Sequence, residues 1–309
     1  MRILFMGTPV FASVILRHMV EAGLIPYVAV TQEDKPTGRG RILKPGPVKS
    51  AALEFGIEVW QPAIINAEWR QKISESKPDV IAVAAFGKIL RPSVLSIPRL
   101  GCVNAHASLL PRHRGASPVA HAILAGDEMT GVTIMMMDQG IDTGDILLTA
   151  QIPIQPDDTT VTLTQKLAEL SGPLMVETLR LLDQGKCPRT PQDHSKATYA
   201  PILTKQDGQL DFTQPAAIQE RKVRAMWPWP GAYTCLRGRM LRVHEAKLLP
   251  DMHGEPGTIL DIRPDGILVA CSVGGLLLTQ VQAEGKSIIS ASDFVRGARL
   301  LPGEKCTLL

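Results

Sequence analysis

At 309 residues, with 45% hydrophobic and 20% charged residues, the chain has the composition of a soluble globular protein and the length for two domains, each with its own core. That excludes a disordered or fibrous chain. A net charge of +3 is too small to mark a general polyanion binder, and no apolar stretch reaches bilayer-spanning length, so a cytoplasmic protein without membrane contact is expected.

The apolar run Ile3 to Met6 is too short for the core of a signal peptide and is cut by Gly7 and Pro9, so it predicts a buried first strand. Thr8 fits the N-cap, and Pro9 the first position, of a helix that runs to about Ala22 and stops at Gly23. A strand over Tyr27 to Thr31 follows, then a loop from Gln32 to Lys49 and a helix near Val48 to Phe55. Next come a short strand around Glu58 to Trp60, a helix over Trp69 to Ser76 and an apolar strand over Val80 to Ala85. Strands at Cys102 to Ala105 and Val132 to Met137 precede a helix over about Thr160 to Leu182. Continuous apolar runs separated by helices predict a doubly wound, mostly parallel α/β domain over residues 1–184.

Prolines 188 and 191 interrupt any regular element in the next stretch, which predicts a linker over 185–205. From 206 to 309 a helix near Ala216 to Met226 leads into short strands at Ala232 to Leu236, Met240 to Leu249, Gly257 to Ile262, Ile267 to Cys271 and Leu276 to Val281. A last helix lies near Ser292 to Arg299. This spacing predicts a small OB-like antiparallel barrel. Trp227 and Trp229, set between prolines, are expected to pack at a domain junction rather than stack on bases. The five cysteines form no CxxC pair and no zinc-type spacing, so reduced thiols and no metal or disulfide framework are expected.

Chemistry concentrates in Gly101-Cys102-Val103-Asn104-Ala105-His106-Ala107-Ser108-Leu109-Leu110-Pro111. Side chains alternate along a strand, so Asn104 and His106 share a face. Polar groups at the carboxyl end of a parallel strand sit where open α/β sheets bind ligands. Asn supplies a neutral amide donor, and His a group that exchanges protons near neutrality. The bland alternative is that the two satisfy each other and a turn. Downstream, Ser117 and Pro118 open a helix ending at Gly126. The loop Asp138 to Asp145 then carries three carboxylates that lack the spacing of a calcium loop and read as turn formers. The Met135-Met136-Met137 run reads as core.

Charge is uneven. Between Gln32 and Lys49, Lys35, Arg39, Arg41, Lys44 and Lys49 face only Glu33 and Asp34, while Gly38, Gly40 and Gly46 loosen the loop. Arg39, Arg41 and Lys44 could arm it for phosphates, with Lys35 and Lys49 adding attraction, or the run could be no more than a mobile, solvated loop. In the barrel, Arg237, Arg239 and Arg242 cluster around one hairpin, and OB-like folds often bind oligonucleotides.

The pattern Asn104-x-His106-x-Ser108-Leu109-Leu110-Pro111, then Gly131-Val132-Thr133 and Asp142-Thr143-Gly144-Asp145, resembles the signature of the 10-formyltetrahydrofolate-dependent formyltransferases. The resemblance covers essentially the whole chain. It implies formyl transfer from 10-formyltetrahydrofolate without a metal, catalytic roles for Asn104, His106 and Asp142, and folate contacts from Ser108, Leu109, Leu110 and Pro111. Gly7-Thr8-Pro9, Asp34 to Gly40, Thr204-Lys205 to Asp211-Phe212 and Trp227 to Pro230 are similar to the branch of that family whose acceptor is initiator methionyl-tRNA. For that branch the resemblance implies that the basic loop enters the acceptor arm, with Arg39 on a functional position, and that 206–309 binds tRNA. Asp142 is expected to orient His106 or to hold a water that takes the amine proton. A monomer is expected, because no apolar stripe is left to pair.

Three other readings compete. A nucleotide-dependent oxidoreductase needs a G-x-G-x-x-G turn, and Gly7-Thr8-Pro9-Val10-Phe11-Ala12 has one glycine. A sugar-nucleotide formyltransferase or formyltetrahydrofolate hydrolase needs neither the basic loop nor the barrel. A non-catalytic RNA binder has no use for the Asn, His and Asp set.

Overall fold

The computed structural model describes residues 1–37 and 42–308. It divides into two compact units. One comprises Met1–Pro118, Met129–Pro153 and Thr164–Ala200, and the other Val119–Glu128, Ile154–Leu163 and Pro201–Leu309.

In chain order the elements are β1 (Ile3–Gly7), α1 (Val10–Glu21), β2 (Val28–Val30), β3 (Lys35–Thr37), β4 (Ile42–Lys44), α2 (Pro47–Glu54) and β5 (Glu58–Trp60). They continue with α3 (Ala67–Glu75), β6 (Val80–Ala84), α4 (Pro92–Leu95), β7 (Cys102–His106), α5 (Pro118–Ala125), β8 (Met129–Met136), β9 (Ile146–Pro153) and α6 (Thr160–Asp183). The sheet of the first unit runs β5-β2-β1-β6-β7-β8-β9. The strands from β5 to β7 are parallel. β1 and β6 are buried along their whole length, as strands covered on both faces must be. On one face Leu4, Met6, Val28, Val30, Ile81, Val83 and Cys102 pack with Ile73 of α3 and Val94 of α4.

Strand order reverses between β2 and β6 on either side of β1, and the carboxyl ends of the strands at such a point are where open α/β sheets bind ligands. Gly7 ends β1 there because a Cβ would fall 2.9 Å from the Ala84 carbonyl oxygen and 2.6 Å from the Ala12 methyl. The expected cap of α1 is corrected. Pro9 occupies the N-cap, and the Thr8 hydroxyl instead donates to the Phe86 carbonyl at 3.1 Å, tying the end of β1 to the end of β6.

Two strands depart from the simple parallel reading. β8 runs antiparallel to β7, and β9 pairs antiparallel with β8. β9 lies at the edge with exposed and half-buried residues, so it lacks the continuous apolar run that marks an inner strand. The basic segment also contains structure that a loop reading missed: β3 and β4 form a hairpin with Lys35 opposite Lys44.

The segment read as a linker contributes to the first unit up to Ala200. Thr190 exchanges backbone hydrogen bonds with Ile146 at 2.8 and 2.9 Å, and the Ala200 amide donates to the Arg114 carbonyl at 2.7 Å.

In the second unit α7 (Ala216–Ala225) precedes β10 (Ala232–Leu236), β11 (Arg239–Leu249), β12 (Ile259–Arg263), β13 (Gly266–Ala270), β14 (Gly275–Ala283), β15 (Ile289–Ser290), α8 (Ala291–Ala298) and β16 (Cys306–Thr307). The antiparallel order is β12-β13-β14-β11-β10-β16. The two edges then meet: the Ile259 amide donates to the Glu304 carbonyl at 2.8 Å, and the Cys306 amide to that of Gly257 at 2.7 Å. Closure removes the open edges of an OB-like barrel. Its core gathers Leu241, Val243, Ile259, Ile267, Val269, Leu276, Leu278 and Val281 with Ala216 and Val223 of α7. Arg237 and Gly238, both at positive φ, make the two-residue turn between β10 and β11. Among the described residues no helix is long and apolar enough to cross a membrane.

Candidate active site

Asn104 and His106 lie on one face of β7, the face that carries Cys102 into the core, and they reach the carboxyl end of the parallel set. Asn104 is half-buried, and among the described residues its amide has no partner within the protein. His106 is 6% exposed. Its Nε2 lies 2.9 Å from the carbonyl oxygen of His113, which can only accept, so Nε2 carries a hydrogen. In the neutral ring the lone pair is then on Nδ1, 3.5 Å from Asp142 Oδ2.

Asp142 arrives from the loop between β8 and β9, with a left-handed backbone at φ 53°. Its Oδ2 also accepts from the Gly115 amide at 2.9 Å. Of the other two loop carboxylates, Asp138 accepts from the Gly140 amide at 3.0 Å and the Thr143 hydroxyl at 2.7 Å. Asp138 is thus the turn former, and only Asp142 reaches the histidine. Met135 pairs with Asn104 across the strands and is buried, as the core reading of the methionine run requires.

Ser108 to Pro111 form a tied turn. The Ser108 hydroxyl donates to the Arg112 carbonyl at 2.6 Å. Thr133, opposite His106 on β8, donates from its hydroxyl to the Ser108 carbonyl at 2.7 Å and accepts from the Leu110 amide at 3.0 Å. Ser108 and Leu110 are buried, so within this stretch Leu109 and Pro111 offer the surface.

Sequence reading gave the supports no role. Thr133, part of the pattern that carries the resemblance, is one. Arg114 and Gln192, 2% and 6% exposed, are two more: the guanidinium holds the Gln192 side-chain oxygen, and the Gln192 amide holds the Asp142 and Gly144 carbonyls. Gln192 stands in a proline-broken stretch that carried no signal of a role in the site.

The basic residues divide. Arg39 and Arg41 lie outside the described residues. Lys44 and Lys35 are exposed on facing strands. Lys49 is corrected as a source of free charge: its Nζ is 2.6 Å from Asp34 Oδ2 and 2.8 Å from Gln61 Oε1. The Lys49 hydrogen bond first, and that from Gln61 second, hold the Asp34 carboxyl below its ordinary range. This network anchors the base of the hairpin. In the barrel Arg237 is also removed from the cluster, since it grips Glu304 with two nitrogens, at 2.6 and 2.5 Å. Arg239 and Arg242 remain exposed. Trp227 packs edge-on against His244, ring centroids 4.9 Å apart. The expectation of packing fails for Trp229, which is 54% exposed.

Residues 1–179 match the formyl transferase family model, and residues 202–299 match that of the formyl transferase C-terminal domain. The methionyl-tRNA formyltransferase of Geobacter sulfurreducens is 45% identical over 306 residues, 99% of this chain and 96% of that protein. That of Marinobacter nauticus is 44% identical over 309 residues, 99% of each chain. Among solved structures, WlaRD, a sugar 3N-formyl transferase, shares the fold with a TM-score of 0.69 at 17% identity, covering 93% of this chain and 99% of that one. HypX from Aquifex aeolicus, in complex with tetrahydrofolic acid, does so with a TM-score of 0.64 at 19% identity, covering 96% of this chain and 47% of that one.

Proposed function

This chain belongs to the formyl transferase family, and from that premise we propose that it transfers the formyl group of 10-formyltetrahydrofolate to the α-amino group of initiator methionyl-tRNA, using Asn104, His106 and Asp142. The product, N-formylmethionyl-tRNA, serves translation initiation. The observation that carries the site reading is geometric: an amide without a partner among the described residues and a tautomer-fixed imidazole share one strand face, with a carboxylate 3.5 Å from the imidazole's Nδ1.

Folate supplies the formyl group on its N10 nitrogen, and Leu109 and Pro111 offer the apolar surface beside the site. As the amine attacks, negative charge develops on the formyl oxygen. The Asn104 amide donates to that oxygen, an interaction worth roughly 3 kcal/mol where such donors have been removed. The attacking amine must lose a proton, and N10 must gain one as the adduct collapses, the bond from the formyl carbon to N10 breaks and tetrahydrofolate leaves. With Nε2 committed to the His113 carbonyl, His106 exchanges protons through Nδ1, 3.5 Å from Asp142 Oδ2.

The acceptor rests on different residues. Lys35 and Lys44 face each other across the hairpin, an arrangement that is self-repelling in isolation and relieved by a polyanion. Arg39 and Arg41 belong to the same segment. Exposed Arg239 and Arg242 supply positive charge on the barrel.

The assay is formyl transfer from 10-formyltetrahydrofolate to charged initiator methionyl-tRNA, free methionine and a small amine. Preference for the charged tRNA by orders of magnitude is expected. Equal use of free methionine removes the tRNA assignment.

A further inference from the structure

Asp142 is the least secured of the three proposed reacting groups by its own local sequence. It sits in a loop, in a left-handed backbone conformation that glycine adopts freely and Asp tolerates better than most residues. Two main-chain carbonyls of this loop, those of Asp142 and Gly144, point to one side chain 48 to 50 residues further on. Gln192 Nε2 donates to them at 2.9 and 2.7 Å.

An amide can be turned end for end, and a flipped Gln192 would set its oxygen against two carbonyl oxygens. Arg114 prevents that. Its guanidinium has only donors, and its Nε and Nη2 lie 3.1 and 2.7 Å from Gln192 Oε1. Nη2 is also 3.1 Å from His194 Nδ1. Arg114 is placed in turn by its own backbone, whose amide donates to the Thr198 carbonyl at 2.8 Å and whose carbonyl accepts from Ala200 at 2.7 Å. The next residue, Gly115, donates its amide to Asp142 Oδ2. Arg114 and Gln192 are almost completely buried, so these bonds form away from water and are costly to break.

We propose that Gln192 is a positioning residue for formyl transfer: it holds the loop so that Asp142 Oδ2 faces His106 Nδ1, with the buried Arg114 guanidinium fixing the direction of its amide. This rests on Asp142 belonging to the reaction centre. The chain thereby couples the reacting carboxylate to residues 192–200, beyond the long α6 helix.

The test is a double-mutant cycle between Gln192→Met, which keeps length without hydrogen-bonding groups, and Asp142→Asn, read by kcat, KM and pH–rate profile. Gln192→Met is expected to lower kcat about tenfold or more, since misplacement of a catalytic group by about 1 Å can cost 10²-fold. The KM for tRNA and the folate affinity should stay within about twofold. Its pH–rate profile should move the same way as that of Asp142→Asn, and in the Asp142→Asn background it should add less than about a twofold further loss. Gln192→Glu keeps the oxygen for Arg114 and loses both donors to the loop, so it should behave like Gln192→Met and covers the case in which the latter does not fold. Wild-type kcat in either folded variant, or the same loss in both backgrounds, overturns the proposal. If Asp142→Asn itself leaves kcat unchanged, the reading of the reaction centre fails and takes this inference with it. A slow Asp142→Asn beside a fully active Gln192→Met sinks only the inference.

Discussion

His106 Nε2 is 2.9 Å from the carbonyl oxygen of His113, and this one contact decides which end of the imidazole works. A backbone carbonyl cannot donate, so the nitrogen left to exchange protons is Nδ1, 3.5 Å from Asp142 Oδ2. His106→Ala should lower kcat by about 10² to 10⁴, the usual worth of a positioned acid–base group, and leave folate affinity within a few-fold. Single-turnover formyl transfer beside equilibrium folate binding checks this. Retained turnover would remove His106 from the mechanism.

Asn104 makes a separable prediction. Asn104→Asp preserves shape but sets an anion where negative charge develops. A loss of kcat of about 10² to 10³, with little change in KM, is expected from the value of one oxyanion donor. A loss confined to KM would instead make Asn104 a binding group.

Arg39 and Lys44 are expected to act on the acceptor alone. Arg39→Ala and Lys44→Ala should raise the KM for methionyl-tRNA, and each should flatten its salt dependence by about one phosphate contact. Transfer to a small amine should be unchanged. A matching loss with the small amine would place these residues in the chemistry instead.

Asp79 offers a stability test with a defined sign. A hydrogen bond from the Arg2 amide first, and one from Arg99 second, hold its carboxyl below the usual 3.8. A depressed folded-state value means that the stabilisation is complete above 3.8 and lost as the pH falls towards the lower value. Wild type and Asp79→Asn should therefore differ in melting temperature at pH 6, and the gap should close as the pH is lowered below about 3.8. A gap independent of pH would contradict the assignment.

The thiols can be ranked. Burial pushes Cys102, Cys271 and Cys306 up to about 12, while the Cys187 thiol, raised by burial against the opposing pull of Arg189, is only half-buried. Thiolates are the reactive species, so native alkylation should mark Cys187 first. Peptide mapping after a brief pulse would show it. First labelling at Cys102 would be inconsistent with its burial.

The inner strands and the barrel were legible because both announce themselves locally, as apolar runs in β1 and β6 and as turn residues such as Arg237-Gly238 and Gly274-Gly275. Alternation along β7 placed Asn104 and His106 on one face without any structure. What stayed hidden depends on partners distant in the chain. The direction of β8 is not written in its apolar pattern, which reads the same either way. Lys49 and Arg237 look like free charge until Asp34 and Glu304 arrive beside them. The approach of Asp142 to His106 depends on a left-handed residue and on Gln192, neither of which has a local signature.

The tie between Gln192 and the Asp142 loop bears on how the chain can be divided. A fragment ending with α6 at Asp183 carries all three proposed reacting side chains yet omits Gln192, the Thr198 carbonyl and the Ala200 amide. The smallest piece that keeps its chemistry should therefore extend through Ala200. Cutting the chain at the end of α6 should lower kcat even where folate still binds.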